Sequence, residues 1–398
     1  MENKKNTFQL IAKTLFGLEE ILAEELTGIG ALDVEILKRA VKFRGDNELM
    51  YKANYLCRTA LRILKPIAGF EVNNEDDLYR NVRKTEWWKY MDVNDTLAID
   101  GVVSNSVFTH SKYVALKTKD AIVDSFRDKF DKRPSVNIVN PTLRINTHIY
   151  KNQCTVSLDS SGDSLHKRGY RTITDKAPIN EVLAAGMILL SGWKKDCNFV
   201  DPMCGSGTIL IEAALFANNI PPGYYRKGFG FEKWKNFDAY LWNNIKKESL
   251  TEQTEFDYKI IGSDSSRKAI GIAKQNKRFA RLHKDIEICY NSIENQIPPE
   301  GKGILISNPP YGERLKSDDL IQLYKTIGDV LKRKYNGYTA WIISSDPEAL
   351  KFVGLKPSKK IILFNGPLEC RFVKYEIYEG SRKRKQSAVS SPQSTVGD

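Results

Sequence analysis

The alternation of hydrophobic and polar positions over the first 70 residues predicts strands and helices in the order βαββαβ. The predicted strands are Phe8–Ala12, Val34–Leu37, Ala40–Phe43 and Leu61–Ala68, and the predicted helices run from Leu18 to Leu26 and over Glu48–Cys57. Gly28 and Gly30 mark the end of the first helix. This order is typical of a ferredoxin-like module.

A second segment, residues 71–165, has a mixed α+β pattern. It contains an amphipathic helix through Leu78 and Val82 and a basic helix over Lys117–Lys132, with strands over Thr96–Gly101, Val136–Val139, Leu143–Tyr150 and Cys154–Leu158. Residues 101–180 hold thirteen Lys and Arg against seven Asp, a surplus of six, which is half of the net charge of +12. The concentration of positive charge favours a polyanionic partner such as RNA.

From residue 166 the pattern changes to short apolar strands separated by helices. The strands are predicted at Asn198–Val200, Lys259–Gly262, Ile286–Cys289, Ile304–Ser307 and Thr339–Ser344, and such alternation indicates a doubly wound parallel sheet. Two further strands are predicted at Lys360–Phe364 and Arg371–Tyr378. Too few residues separate them for a helical crossover, so we predict an antiparallel hairpin. Residues 381–398, a basic run followed by Ser, Pro and Gly, are predicted to be a disordered tail.

The composition narrows the class of protein. Its 398 residues, 41% of them hydrophobic, indicate a globular protein with two or three domains. No apolar run of about 18 residues suggests a membrane helix, and the first residues lack a signal-peptide layout, so we expect a cytoplasmic protein. The six Cys include no C-x-x-C and the four His show no ligand spacing, so we expect no metal site.

A glycine-containing loop follows the first strand of the parallel sheet. It comprises Asp201, Pro202, Met203, Cys204, Gly205, Ser206, Gly207 and Thr208. The loop lacks the lysine of a Walker loop and the third glycine of a dinucleotide fingerprint, so phosphate is not the obvious ligand. The next strand ends at Asp264, where a carboxylate can hold two ribose hydroxyls. The loop and the Asp264 carboxylate together suggest a nucleoside cofactor.

The sequence Asn308-Pro309-Pro310-Tyr311 follows the fourth strand. The prolines stiffen the loop and donate no backbone hydrogen bond, which leaves the Asn308 amide oxygen and the Pro309 carbonyl as acceptors. Such acceptors suit the hydrogens of an exocyclic amino group.

With these residues, the segment 166–380 resembles class I S-adenosylmethionine-dependent methyltransferases that act on planar amino groups. A second resemblance covers nearly the whole chain and depends on five segments: FGLEEILAEEL, HKRGYR, APINEVLAA, PPGYYRKGFGFEKW and NPPYGERL. They resemble the THUMP-containing methyltransferases related to the bacterial 23S rRNA (guanine-N2)-methyltransferase L family. The resemblance implies a ferredoxin-like module over 1–70, a THUMP RNA-binding domain over 71–165, and a Rossmann-like methyltransferase over 166–380 whose seven-stranded sheet has an antiparallel last strand.

The resemblance also implies roles for individual residues. S-adenosyl-L-methionine would be held by the loop, by Asp264, by Asn308, and by Ala177, Pro178, Asn180 and Glu181. After the third strand the usual adenine-binding Asp is replaced by Asn291, followed by Ser292. Asn308, Pro309 and Pro310 would bind the target amine and Tyr311 would stack on its base, while RNA phosphates would contact Lys112, Lys117, Lys167, Arg168 and Arg171.

Two pairs of residues near these motifs have open interpretations. Glu313 and Arg314 either orient their loop by an ion pair or reach the substrate. Phe231 and Trp234, in the segment Pro221–Trp234, either wall the base pocket or cover a helix face.

The resulting hypothesis is a monomeric enzyme that methylates N2 of a guanosine in 23S rRNA. Two alternatives stay open: a tRNA guanine-N2 methyltransferase, and a non-catalytic RNA-binding factor in ribosome assembly. DNA adenine and protein glutamine methyltransferases share the Asn-Pro-Pro-Tyr sequence, but the chain has no obvious DNA-recognition domain, and its basic N-terminal half argues against a protein substrate.

Overall fold

A computed structural model describes residues 7–171, 173, 178–311 and 317–378. The described chain divides into two compact units. Residues 7–171, 180–186 and 215–255 form the first unit, and residues 173, 178–179, 187–214, 256–311 and 317–378 form the second. Ala177, Glu313, Arg314 and the predicted tail 381–398 lie outside the described residues.

The N-terminal elements all belong to the first unit. They are β1 (Phe8–Lys13), α1 (Glu19–Gly28), β2 (Leu32–Leu37), β3 (Ala40–Gly45), α2 (Asn47–Leu56), β4 (Arg62–Glu71), α3 (Glu75–Arg83), β5 (Thr96–Ser104), α4 (Ser111–Phe130), β6 (Ser135–Val136), β7 (Leu143–Tyr150) and β8 (Gln153–Asp159), with a short 3-10 helix at Trp87–Lys89. The βαββαβ order predicted for the first segment is confirmed.

One eight-stranded sheet runs through this unit, in the order β2-β3-β1-β4-β8-β7-β5-β6. β4 is the link between its halves, because it pairs antiparallel with β1 on one side and with β8 on the other. The strand Arg62–Glu71 therefore crosses the predicted domain boundary between residues 70 and 71.

Two elements of the basic segment differ from the prediction. The helix predicted over Lys117–Lys132 is α4, which begins at Ser111 and ends where Asp131 adopts a left-handed conformation with φ 54°. The strand predicted over Val136–Val139 ends at Val136, because the side chain of Asn137 accepts hydrogen bonds from the backbone N–H groups of Val139 and Asn140. Such a local bond turns the chain instead of letting it pair in a sheet.

The segment that contains Phe231 and Trp234 packs into the core of the first unit. Phe231 is fully buried and stacks on Tyr51 of α2, with ring centroids 4.2 Å apart, and Trp234 is 7% exposed. Phe231 therefore covers helix α2, and Trp234 belongs to the same buried core. Neither side chain lines the cavity of the second unit described below.

The remaining helices and strands follow in chain order. They are α5 (Glu181–Leu190), β9 (Asn198–Asp201), α6 (Thr208–Ala217), α7 (Ala239–Thr251), β10 (Ile260–Asp264), α8 (Arg267–Phe279), β11 (Ile286–Tyr290), β12 (Gly303–Ser307), α9 (Ser317–Lys334), β13 (Tyr338–Ser344), α10 (Pro347–Lys351), β14 (Lys359–Asn365) and β15 (Leu368–Glu376), with a 3-10 helix at Gly230–Lys233.

The second unit is built on a seven-stranded sheet in the order β11-β10-β9-β12-β13-β15-β14. β9 through β13 are parallel, whereas β15 runs antiparallel to both β13 and β14. The predicted doubly wound sheet and its antiparallel hairpin are confirmed. Since β9 and β12 are neighbours, the residues that follow them meet at one edge of the sheet, where ligands bind in such folds. Within the described ranges, no helix has the length and apolar character required to cross a bilayer.

Candidate active site

A cavity of about 510 Å³ opens at the carboxyl ends of β9, β10 and β12 in the second unit. Its volume suits a ligand of nucleoside size. The predicted residues that line it are Pro178, Asp201, Pro202, Cys204, Gly205, Ser206, Thr208, Asp264, Ser292, Asn308 and Pro310. The two predicted motifs and the carboxylate of the second strand therefore converge on one site.

Asp201 ends β9, lines this cavity and is 1% exposed. Its Oδ1 accepts hydrogen bonds from the Ser307 hydroxyl at 2.8 Å and from the Met203 backbone N–H at 3.3 Å. Burial raises the pKa of Asp201 to about 7, partly offset by those two hydrogen bonds and reinforced by the charge of Asp264. The carboxyl group therefore changes charge near neutral pH.

The loop after Asp201 turns sharply into α6. Gly205 and Gly207 have φ values of 52° and 80°, a region that favours glycine. The Gly207 N–H donates to the Cys204 carbonyl, and the side-chain amide of Asn276 donates to the Ser206 carbonyl at 3.1 Å. The resulting backbone lies close to the ligand space, with Cys204 buried and its thiol pKa well above the ordinary value because of that burial.

The carboxylate of Asp264 fixes this loop as well as lining the cavity. One oxygen accepts from the Gly205 N–H at 2.9 Å, and the other accepts from the Ser266 N–H at 2.8 Å. A carboxylate has about four acceptor positions, so both oxygens retain capacity for ligand hydroxyls. The structure thus adds a loop-closing contact to the predicted ribose-binding role of Asp264.

Asn308 follows β12 and lines the same cavity. Its side-chain oxygen is buried and has no hydrogen-bond donor within the part of the chain that the structure describes. A buried acceptor without a donor is costly, so this oxygen is suited to a donor on a ligand.

Of the three residues after Asn308, only Pro310 lines the cavity. Pro309 is buried and is not among its lining residues. Tyr311 is 4% exposed, and the Asn365 side-chain amide donates to its hydroxyl at 2.8 Å. In this arrangement the ring offers no open face to a base, so the predicted stacking would require Tyr311 to leave its place beside Asn365.

After β11, Ser292 lines the cavity but Asn291 does not. The backbone N–H of Asn291 instead donates to the Asp264 carbonyl at 3.2 Å. Gly207 is also absent from the cavity wall and acts by shaping the loop. An adenine contact from Asn291 stays a prediction.

The residues at the start of α5 are divided between the units. Pro178 lines the cavity in the second unit. In the first unit, Asn180 accepts from the Val182 N–H at 2.9 Å, and Glu181 is 3% exposed and pairs with Arg171 at 3.3 Å. Cofactor contacts from Asn180 and Glu181 stay predictions.

The residues predicted to contact RNA fall into two groups. Lys112 and Lys167 are exposed, and Lys117 is partly exposed beside Asp76. Arg168 is 2% exposed and donates to the backbone carbonyls of Leu165 and Arg58. The prediction that Arg168 contacts an RNA phosphate is therefore wrong, because its guanidinium is enclosed by the protein.

Arg171 is also largely enclosed. Its side chain is 12% exposed and its guanidinium pairs with Glu181. A phosphate contact from Arg171 stays a prediction.

Several cavity residues were not predicted from sequence. They are Ile179, Ile209, Ser265, Ala269, Ile293, Glu294, Asp319 and Leu323. Asp319 lies in the first turn of α9, and its approach to the cavity depends on tertiary packing that no local pattern reports.

The cavity fits S-adenosyl-L-methionine by its own chemistry. It combines carboxylates at Asp201 and Asp264, a glycine loop at a helix N-terminus and apolar walls from Ile179, Ile293 and Leu323. Carboxylates suit the ribose hydroxyls and the positive charge of this cofactor, and apolar walls suit its adenine ring. Among the described residues, no group of His, Cys, Asp and Glu could hold a metal ion.

Comparison with known families agrees with this site. Residues 168–374 match the RMKL-like methyltransferase domain, residues 72–159 the THUMP domain, and residues 9–64 the RlmL ferredoxin-like domain. The matches lie inside the three predicted domain ranges, whose exact boundaries stay predictions.

Individual relatives cover most of the chain. "Putative RNA methyltransferase slr0064" of Synechocystis sp. is 39% identical over 364 residues, which cover 91% of this chain and 95% of that protein. The ribosomal RNA large subunit methyltransferase K/L of Syntrophotalea carbinolica is 40% identical over 375 residues, which cover 91% of this chain. Those residues are 53% of the relative, so the chain spans about half of its length.

A solved structure shows the same fold. SMU.472, described as a putative methyltransferase complexed with SAH, has a TM-score of 0.84 and 30% identity, covering 95% of this chain and 100% of its own. The chain therefore belongs to the RMKL-like methyltransferases that also carry THUMP and RlmL ferredoxin-like domains, and S-adenosyl-L-methionine is its cofactor.

Proposed function

We propose that this RlmKL-type RNA methyltransferase transfers a methyl group to the exocyclic N2 of a guanosine in 23S rRNA. The observation that carries the proposal is the buried Asn308 oxygen, which lines the cavity and has no donor among the described residues. An exocyclic amino group supplies such a donor. The name of the Syntrophotalea carbinolica relative supports large-subunit rRNA as the source of that amino group.

The protein's task in this reaction is to position the amine. The cofactor's sulfonium supplies an activated methyl group, so the chain needs no nucleophile of its own. Asn308, with the Pro309 carbonyl, would accept the two hydrogens of the amine. Those bonds favour the pyramidal nitrogen that develops during transfer, in preference to the planar nitrogen of free guanine.

The cofactor would be held by residues that the fold has already fixed. The loop at Gly205 and the carboxylate of Asp264 are joined by a 2.9 Å hydrogen bond, so each holds the other in position. Asp201 would face the positive end of the cofactor from the wall of the cavity. Preorganised contacts of this kind lower the cost of ordering the ligand.

The RNA substrate would be held mainly by the first unit. The THUMP match and exposed lysines such as Lys112 and Lys167 support contacts to the phosphate backbone. Because structured RNA buries the N2 edge, the target nucleotide would be single-stranded or flipped out, at a cost of a few kcal/mol.

Nucleoside mass spectrometry of rRNA and tRNA from cells with and without the gene tests the proposal. We expect loss of N2-methylguanosine from 23S rRNA alone, restored by the wild-type gene. Loss from tRNA alone would move the substrate to tRNA, and an unchanged set of methylated nucleosides in both fractions would contradict the proposed activity.

A further inference from the structure

A second cavity, of about 250 Å³, lies entirely within the first unit. Its walls come from the loop before β7, the turn after β8 and the loop before the 3-10 helix Gly230–Lys233. The first two segments belong to the THUMP match or follow it directly, and the third lies inside the methyltransferase match. The cavity thus requires segments from both matched regions.

The lining of this cavity is strongly basic. Arg144, Lys227 and Lys233 contribute three positive charges, and Asp163 contributes the one carboxylate among the described residues that line it. That carboxylate also faces Lys167, whose Nζ lies 3.4 Å from Asp163 Oδ1. The surplus of positive charge favours an anionic ligand.

Two of these cations, Arg144 and Lys233, are held in place by neighbouring carbonyls and side chains. Arg144 pairs with Asp100 at 3.2 Å, and its Nη2 donates to the Ile138 carbonyl at 2.9 Å. Lys233 donates to the Asn140 side-chain oxygen and to the Pro141 carbonyl at 2.8 Å. An ammonium has three N–H donors, so Lys233 retains one for a ligand.

The electrostatic environment of Lys233 agrees with an anion site. Burial, followed by the positive charge of Arg144, lowers the pKa of Lys233, and the nearby carboxylate of Asp163 offsets part of that effect. An anion placed between the two cations would relieve that repulsion. Lys227 is exposed at the mouth of the cavity and can contact the same anion.

The two turns that form the cavity are locked together. The Phe231 N–H donates to the Ser160 carbonyl at 2.9 Å, and a Cβ added to Gly230 would meet the Asp159 carbonyl oxygen at 2.7 Å. Arg226 adds hydrogen bonds to the carbonyls of Ser161, Asp163, Ser164 and Lys167. The cavity is therefore a rigid feature of the fold, as a preorganised binding site requires.

We propose that this cavity binds a backbone phosphate of the RNA substrate through Lys227 and Lys233, with Arg144 as the fixed cation behind them. The proposal rests on the proposed function, because RNA is the polyanion that the enzyme would act on. Val139, which is 81% exposed at the rim, adds apolar surface on which the adjoining nucleoside can lie.

The double variant Lys227→Gln/Lys233→Gln tests the assignment in the full-length protein. RNA affinity for a 23S rRNA fragment is measured by fluorescence anisotropy over a range of salt concentrations. Losing two phosphate contacts should weaken binding about tenfold near 0.15 M salt and reduce the slope of log affinity against log salt by about 1.5. Lys247→Gln, an exposed lysine of α7 in the same unit, is the matched control and should change neither value.

The remaining outcomes separate this proposal from the proposed function. If the wild type methylates the fragment but the double variant keeps wild-type affinity and salt slope, the phosphate site is wrong and the enzyme activity stands. If the double variant loses only the binding of inorganic phosphate, measured by calorimetry, the cavity takes a free anion and the RNA assignment is overturned. If the wild type neither binds nor methylates RNA, the proposed function fails together with this site. Melting temperatures and S-adenosylmethionine affinity, measured in parallel, should be unchanged in both variants.

Discussion

The hydroxyl of Ser307 donates a 2.8 Å hydrogen bond to Oδ1 of Asp201. The bond links the ends of the neighbouring parallel strands β12 and β9, and both side chains are buried. Because Asn308 follows Ser307 directly, this bond ties the predicted amine-binding residue to the start of the predicted cofactor loop.

The raised pKa of Asp201 predicts a pH-dependent preference for the positively charged cofactor. Burial raises this pKa to about 7, so the carboxyl is mostly protonated below pH 7 and ionised above it. Ionisation attracts the sulfonium of S-adenosylmethionine but has little effect on uncharged sulfur in S-adenosylhomocysteine. The ratio of the two affinities, measured by calorimetry, should favour S-adenosylmethionine increasingly as pH rises through about 7.

The control for this effect is Asp201→Asn, which keeps an oxygen to accept from Ser307 but carries no charge. In this variant the affinity ratio should no longer change around pH 7. If the affinity ratio of the variant changed with pH as it does in the wild type, a group other than Asp201 would be responsible.

Asp264→Asn should loosen the cofactor loop. The Gly205 and Ser266 N–H groups donate to different oxygens of Asp264, so in asparagine one of them would face an NH2 group and lose its acceptor. We expect the dissociation constant of S-adenosylmethionine to rise about tenfold or more, which corresponds to one lost charge-assisted hydrogen bond. Asp257→Asn, at an exposed position of the same unit, should leave it unchanged. Equal affinity in the two variants would contradict the closing role of Asp264.

The two loop glycines should differ in their tolerance of alanine. A Cβ added to Gly205 would lie in open space, whereas a Cβ on Gly207 would lie 3.2 Å from the Cβ of Ala273, and both residues have positive φ. Gly205→Ala should therefore cost about 1–2 kcal/mol of backbone strain, and Gly207→Ala more, seen as a lower melting temperature measured without cofactor. Gly271→Ala in α8 is the control and should be neutral or stabilising. A larger effect at Gly205 than at Gly207 would be inconsistent with this geometry.

Arg168→Gln should reduce stability with little direct effect on RNA contacts. The substitution removes donors from the buried carbonyls of Leu165 and Arg58, which should lower the free energy of unfolding by about 2–4 kcal/mol in urea. Lys167→Gln, at a side chain 60% exposed, should stay within about 0.5 kcal/mol of the wild type. A stable Arg168 variant with weakened RNA binding would restore the interpretation of this residue as a phosphate contact.

The sequence predicted the parts of the fold that local chemistry determines. Asp201, Asp264 and Asn308 each follow an apolar strand, so their meeting at one sheet edge follows from the parallel arrangement. The burial of Arg168 depends on carbonyls that the fold brings together, including that of Arg58, 110 residues earlier in the chain. Composition cannot distinguish such an arginine from one that binds phosphate.

Contacts distant along the chain also explain the other differences. The pairing of β4 with β8 joins two segments that each have a complete local pattern, and the packing of Phe231 on Tyr51 places a segment of the methyltransferase match in the first unit. The bond between Tyr311 and Asn365 likewise depends on where β14 ends. None of these contacts leaves a periodic signal in the sequence.

The most direct test of the central claim is nucleoside mass spectrometry of a 23S rRNA fragment incubated with purified enzyme and S-adenosylmethionine. We predict that N2-methylguanosine forms with the wild type and with Asn243→Ala, an exposed control. The Asn308→Ala variant should form N2-methylguanosine at least about 100-fold more slowly, because it lacks one preorganised contact to the transition state. Its affinity for RNA should equal that of the wild type. A methyl group on any other nucleoside, or an Asn308→Ala variant as active as the control, would contradict the account.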